Sequence, residues 1–236
     1  MNWQERTELL AGTEGVKKLN ESNILVVGLG GVGACAAEML CRAGIGRMTI
    51  VDSDVVSESN INRQMIAFTN TVGKKKTDVL REKLKLINPD IELICIDCYV
   101  TPENTEELFK IKYDYVVDAI DTLAPKVSLI KTCMDKGIPL VSSMGAGAKL
   151  DPEKITIADI SKSKYCPLAH QLRKRLHRLG IKRGFKVVFS IESSIETAMQ
   201  PCEERNKKTM VGTISYMPAI FGCMCASTVI RDIITS

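Results

Sequence analysis

The 236-residue chain predicts an α/β fold with a doubly wound, mostly parallel, Rossmann-like sheet, and three observations carry that expectation. Short β-branched runs such as Ile24-Leu25-Val26-Val27 and Tyr115-Val116-Val117 alternate with stretches of helical periodicity through residues 20–150. Such runs suit strands buried on both faces of a parallel sheet, and the alternation builds that sheet through helical crossovers. G-L-G-G-V-G at 28–33 closes the first run and opens a helix. There a tight turn brings backbone N–H groups and a helix N-terminus to a phosphate.

Residues 3–20 predict an amphipathic lead-in broken at Gly12 and Gly15, with Arg6 as an early cation. The strand at 24–27 enters the glycine loop, and 32–43 (VGACAAEMLCRA) forms a helix stopped by Gly44, with Cys35 and Cys41 as small packing residues. A second strand, 47–52, places Asp52 nineteen residues after Gly33, where a carboxylate meets ribose hydroxyls. A polar connection through Asp54 and Asn60 reaches Arg63, and Gly73-Lys74-Lys75-Lys76 starts a helix that buries Val79, Leu80, Leu84 and Ile87. Asn88-Pro89-Asp90 stops it before a strand at 91–97. Thr101 then reads as an N-cap with Pro102 in the first turn. The strand at 115–117 ends in Asp118-Ala119-Ile120-Asp121, a helix spans 123–136 up to Gly137, and a strand at 138–142 runs into Met144-Gly145-Ala146-Gly147.

Past Asp151-Pro152 the pattern changes, so residues 1–150 read as the nucleotide-binding portion and 151–236 as a smaller α+β lobe of one integrated domain. The lobe should hold a strand at 155–160, a basic helix at 166–179 with Leu168, Leu172, Leu176 and Leu179 facing the core, and a strand at 186–192. Residues 196–212, with Pro201, Cys202 and Gly212, read as an irregular loop in which Cys202 is an ordinary thiol. The apolar stretch 213–230 is near the lower length limit for a spanning helix, but Pro218, Gly222 and several hydroxyl residues favour a buried packing or dimer helix over membrane insertion.

Hydrophobic residues at 45% and charged residues at 25% are ordinary for a soluble globular chain. Net charge is only +4, yet residues 161–186 hold nine Lys and Arg and no acid, so the remainder is net negative. Nine cysteines, an odd number, with no secretory-type N-terminus point to reduced thiols in the cytoplasm. Cys95-x-x-Cys98 falls in a strand, where side chains three apart point to opposite faces, and no second such pair follows, which argues against zinc.

A hydride-transfer enzyme holds a diphosphate with the glycine loop and needs no further cations there. An enzyme that splits ATP between its α- and β-phosphates must stabilise departing pyrophosphate, which calls for cationic side chains and a metal-binding carboxylate at strand ends. Arg63, Lys76 and Asp121 have those types and places. Each also has a plainer reading: Lys76 as a solvated helix-start charge like Lys74 and Lys75, Asp118 as a strand-end cap, Asn60 and Arg63 as stabilisers of their own loop, with Arg63 paired to Asp54.

GLGGVG at 28–33, DSDVV at 52–56, SNINRQ at 59–64, VGKKK at 72–76 and DAIDT at 118–122 together resemble the ThiF family, bacterial relatives of ubiquitin-activating enzymes that adenylate a carboxylate. The resemblance implies that Gly28, Gly30, Gly31 and Gly33 receive ATP, Asp52 holds the ribose, and Asp54 and Asn60 line the nucleotide and phosphate pocket. It implies that Arg63 and Lys76 bind the triphosphate and Asp121 holds Mg²⁺. VTPEN at 100–104, YDYVVDAID at 113–121, IADISKSKYCPLAHQLRKRL at 157–176 and KVVFSIE at 186–192 are similar to the branch that dehydrates threonylcarbamoyladenosine in tRNA. That branch implies ATP-driven activation of the threonyl carboxylate and ring closure, with a homodimer and sulfur-transfer proteins as further partners. The basic segment fits tRNA independently, with Arg173, Lys174, Arg175, Arg178, Lys182 and Arg183 as phosphate contacts. Relatives often open with two arginines three apart, one reaching the partner's ATP; here Arg6 holds the first position and Leu9 the second. A ubiquitin-like sulfur carrier as acceptor, or a non-catalytic nucleotide-binding module, are the alternative readings.

Overall fold

A computed structural model describes residues 3–204 and 207–236, with side chains given outside 201–209. Among the described residues nine strands and seven α-helices follow the chain: α1 (Glu5–Glu21), β1 (Asn23–Val27), α2 (Gly33–Ala43), β2 (Arg47–Val51), α3 (Lys76–Ile87), β3 (Glu92–Ile96) and α4 (Thr105–Leu108). Then come β4 (Tyr115–Asp118), α5 (Leu123–Lys136), β5 (Leu140–Ser143), β6 (Ile155–Asp159), α6 (Pro167–Arg178), β7 (Lys186–Ser190), β8 (Met199–Glu204), β9 (Lys207–Val211) and α7 (Tyr216–Thr235). Seven strands form one sheet in the order β3-β2-β1-β4-β5-β7-β6, parallel throughout except for β6. The chain turns from one half of the sheet to the other between β1 and β4, which opens a crevice outside their carboxyl ends.

Period-two alternation divides the core into two layers. Ile24 and Val26 of β1 join Val117 of β4 and Val188 of β7 on the face covered by α2, α3 and α7. Leu25 and Val27 join Val116, Val187 and Phe189 on the face covered by α4, α5 and α6. Residues 151–236 therefore complete the same sheet and core, since β7 pairs with β5 and α7 lies against α2. α7 is the apolar stretch long enough to span a bilayer, but Met217, Phe221, Cys225, Val229 and Ile233 are buried in the core. A Cβ on Gly222 would stand 2.5 Å from the Val32 carbonyl oxygen, so the helix is seated backbone to backbone on the start of α2.

Several expectations need correction. Gly12 does kink α1, with φ 75°, but Gly15 lies inside the helix without breaking it, and a Cβ there would crowd only Ala11, at 3.0 Å. Thr101 caps a turn rather than the helix, with Pro102 in that turn: its hydroxyl accepts from the Asn104 N–H at 3.3 Å, and α4 starts only at Thr105, after Asn104. Residues 196–212 are no irregular loop, since β8 and β9 pair antiparallel as a separate two-stranded sheet. Cys202 stands in β8, and its side chain lies outside the described residues. On α6, Leu172 and Leu176 are buried while Leu179 is exposed.

Candidate active site

The crevice is assembled at the carboxyl ends of β1, β2 and β4. Gly28, with φ 88°, must be glycine twice over, because a Cβ there would also stand 2.7 Å from the Ala119 carbonyl oxygen. That contact packs the turn after β1 against the turn after β4. A Cβ on Gly33 would run into the Gly28 carbonyl, and one on Gly31 would stand 2.7 Å from Pro218. Gly30 instead faces space, with only the Gln64 amide at 3.9 Å. The loop is thus closed toward the protein at Gly28, Gly31 and Gly33 and open at Gly30, just before α2 begins.

Asp52, at the end of β2, accepts hydrogen bonds from the Leu29 N–H at 2.6 Å and the Asp54 N–H at 2.8 Å. Desolvation pushes its carboxyl above the usual range, against the opposing pull of Lys76 and those two N–H groups. Lys76, the first residue of α3, is buried, and its ammonium pairs with Asp54 at 2.7 Å; the Asp54 side chain is 65% exposed. The partner for Asp54 is therefore Lys76, not Arg63. Arg63 is half-buried and donates to the Ser59 carbonyl at 2.7 Å and to Asn62 Oδ1 at 2.9 Å. Asn60 serves its own loop: its Oδ1 accepts from the Ser57 N–H at 3.2 Å in a reciprocal capping box.

Asp121 follows β4 and is exposed, two residues beyond the Ala119 carbonyl that touches Gly28. Asp118 does more than end the strand. It is fully buried and bound by Lys126 Nζ at 2.9 Å, by the Ser142 hydroxyl at 2.6 Å and by the Ile120 N–H at 3.1 Å. Lys126 escaped sequence reading, because a helical lysine ordinarily reads as solvated. So did Gln64, whose buried carboxamide oxygen has no partner beside the glycine loop. Only its place in SNINRQ hinted at it.

The fold gathers the glycine loop, Asp52, Asp54, Asn60, Arg63, Lys76 and Asp121 on one edge of the sheet, and the basic segment stands apart from them. α6 starts where Cys166 lies 3.6 Å from a Cβ on Gly145, beyond β5, and ends before Phe185 at the amino end of β7. Its cations therefore run down the flank of the sheet. Lys174, Arg175, Arg178, Lys182 and Arg183 are exposed, whereas Arg173 is half-buried and donates to the Ser163 carbonyl at 2.7 Å. Arg6 is exposed on α1; Gln4, two residues earlier, is hydrogen-bonded to Asn20 at 3.1 Å near the amino end of β1, opposite the glycine loop. A groove of about 630 Å³ lined by Arg47, Thr49, Glu92 and Lys112 also lies at that amino end, away from the gathered residues.

The chain is 40% identical over 237 residues to the tRNA threonylcarbamoyladenosine dehydratase of Bacillus subtilis, covering 97% of this chain and 93% of the relative. It is 36% identical over 250 residues to the enzyme of that name from Escherichia coli, with the same coverage. The solved structure of the E. coli tRNA N6-threonylcarbamoyladenosine dehydratase in complex with ATP matches 99% of this chain and 95% of its own at 35% identity, with a TM-score of 0.90. A glycine loop, a carboxylate after β2, a buried lysine and an aspartate after β4, on a fold shared over its whole length, accord with the family model that matches residues 4–236: the chain belongs to the ThiF family.

Proposed function

We infer that this protein is an ATP-dependent dehydratase of threonylcarbamoyladenosine in tRNA, which activates the threonyl carboxylate by adenylation. The observation that carries this reading is the full-length match to a dehydratase that binds ATP, on a chain whose crevice presents the side chains adenylation requires. The carboxylate attacks the α-phosphorus of ATP, the bond to the bridging oxygen breaks, and pyrophosphate leaves with the electron pair. A nitrogen of the same side chain or of its carbamoyl group then attacks the acyl-adenylate. AMP departs with one carboxylate oxygen, a proton is released, and the ring closes with net loss of water.

Each residue has a part in this sequence. The N–H groups of the glycine loop cradle phosphate, Asp52 takes the ribose hydroxyls with its remaining lone pairs, and Asp54 and Asn60 shape the wall around them. Lys76 exchanges Asp54 for the triphosphate, and Arg63 adds a second cation as charge moves onto pyrophosphate. Asp121 suits Mg²⁺, which takes one or two carboxylates together with phosphate oxygens and water rather than a cage of acids. No cluster of three or more His, Cys, Asp or Glu among the described residues competes for it. Bound there, the ion neutralises polyphosphate charge.

The exposed cations of α6 and of the segment after it follow the tRNA backbone, with Arg173 bracing the helix rather than touching phosphate. A homodimer belongs to the same reading, supported by exposed Val55, Ile61, Phe68 and Val72 between Asp52 and α3 and by the distance of Arg6 from its own glycine loop. The eight described cysteines are free thiols, in keeping with a cytoplasmic setting. Incubating threonylcarbamoyladenosine-bearing tRNA with the protein and ATP, then digesting it for mass spectrometry, should show that nucleoside losing one water while AMP and pyrophosphate accumulate. Unchanged tRNA beside adenylation of a carrier ending in Gly-Gly would overturn the reading.

A further inference from the structure

We propose that Lys126, through its ion pair with Asp118, is the positioning residue that sets the Asp121 carboxylate against the phosphate-binding turn. Both members of the pair are fully buried, at 2.9 Å, whereas every other ion pair among the described residues keeps at least one partner partly open to water. A pair so deep contributes little net stability over apolar residues of the same shape, because desolvating two charges offsets their attraction. Its geometry is more telling. The Asp118 carboxylate receives the Ile120 N–H at 3.1 Å, and Lys126 Nζ donates to the Ile120 carbonyl at 2.9 Å, so both hydrogen-bonding groups of the residue before Asp121 are held. The Ser142 hydroxyl ties the same carboxylate to the end of β5 at 2.6 Å. Between Asp118 and Ile120, the Ala119 carbonyl rests against Gly28. One buried carboxylate therefore joins β4, α5 and β5, and the loop it holds cannot shift without pressing on the glycine turn.

This inference rests on the reading of Asp121 as the Mg²⁺ carboxylate, and its test needs neither tRNA nor turnover. Mn²⁺ binding is followed by electron paramagnetic resonance with an ATP analogue whose α,β-bridge is methylene. The variant pairs Lys126→Met with Asp118→Asn, removing both charges at once while Asn keeps an acceptor for the Ile120 N–H. The double variant should melt close to the parent and bind the analogue alone as well, yet hold Mn²⁺ about 10- to 100-fold more weakly, the range seen when residues supporting a metal ligand are changed. A folded double variant within about twofold of the parent affinity would overturn the proposal. Should it fail to fold, Ser142→Ala removes only the hydroxyl on Asp118 and should weaken Mn²⁺ about five- to tenfold; an unaltered affinity there is equally fatal. Asp121→Ala separates the two ideas. If it leaves Mn²⁺ binding intact, the metal assignment falls and takes the positioning argument with it. If it abolishes binding while the other variants change nothing, only the positioning argument falls.

Discussion

Lys76 and Lys126 are both buried cations, and they differ in what their partners can do. Asp54 stands largely in water and can surrender Lys76 at modest cost, whereas Asp118 is sealed and keeps Lys126 permanently. An exchangeable pair suits a group that must move to a triphosphate, and a sealed pair suits a group that must not move. Lys76→Ala leaves behind an exposed carboxylate that water satisfies, so the fold should survive while pyrophosphate formation falls about 10²- to 10³-fold, as when one transition-state donor is lost. A single-turnover assay beside a melting curve checks both halves. The thiols give a second expectation. Burial, with Cys223 at 3.7 Å, pushes Cys35 up to about 12 from 9.0, and burial pushes Cys41 up to about 11. Both are raised, so the stability their neutral forms contribute is intact below pH 9 and is lost as pH climbs through 11–12. The loss should run at roughly 1.4 kcal/mol per pH unit for each thiol. Denaturant titrations from pH 8 to 11 should show that decline, and iodoacetamide at pH 8 should label exposed Cys223 well before Cys35. Flat stability across that range would contradict the burial argument.

α6 is where burial sorts residues of one charge into two jobs. Arg173 is tied to Ser163, so Arg173→Ala should cost about 1.5–3 kcal/mol of stability, the value of a hydrogen bond made by a charged group, and leave salt dependence alone. Replacing Lys174, Arg175 or Arg178 with Ala should leave stability nearly unchanged. Each should weaken tRNA binding and lower the slope of log K against log salt by about 0.7–0.9. Filter binding between low and moderate salt distinguishes the two classes. Elements with local start and stop signals were legible: α5 occupies Leu123–Lys136 as read, since Gly137 turns left-handed at φ 66° and ends it. β8 and β9 were not, because they pair with each other as a separate two-stranded sheet, outside the strand–helix alternation by which the main sheet was read. Gly15 misled because an isolated glycine is tolerated inside a helix, and here the helix runs on through it. Residues that act through neighbours along the chain could be found in the crevice, as Asp52 was through its spacing from the glycine loop. Lys126, on a helix, could not, because its burial depends on Asp118 of β4 and on Ser142 of β5, which binds that carboxylate.

At the scale of the whole molecule Arg6 and the glycine loop lie at opposite ends of the sheet. Arg6 stands at the amino end of the sheet and the glycine loop at the carboxyl end, so Arg6 cannot serve its own crevice without dismantling α1, which is packed through Val16 and Leu19. Exposed Phe68, Val72 and Ile61 meanwhile border the connection that carries Arg63. A two-fold dimer joining such surfaces would repeat each contact on both subunits, and could deliver Arg6 of one to the nucleotide of the other. Complementation tests this without a structure of the assembly. Arg6→Ala and Lys76→Ala should each be inactive alone, because every site then lacks one cation. Mixed and allowed to exchange subunits, they form heterodimers in which one crevice regains both its own Lys76 and the partner's Arg6, while the other loses both. Random pairing makes half the dimers mixed, and half the sites in those are whole, so activity should recover to about a quarter of the parent value. No recovery after demonstrated subunit exchange would show that Arg6 works within its own chain or not at all. Full activity of Arg6→Ala alone would show that the crevice is complete without it.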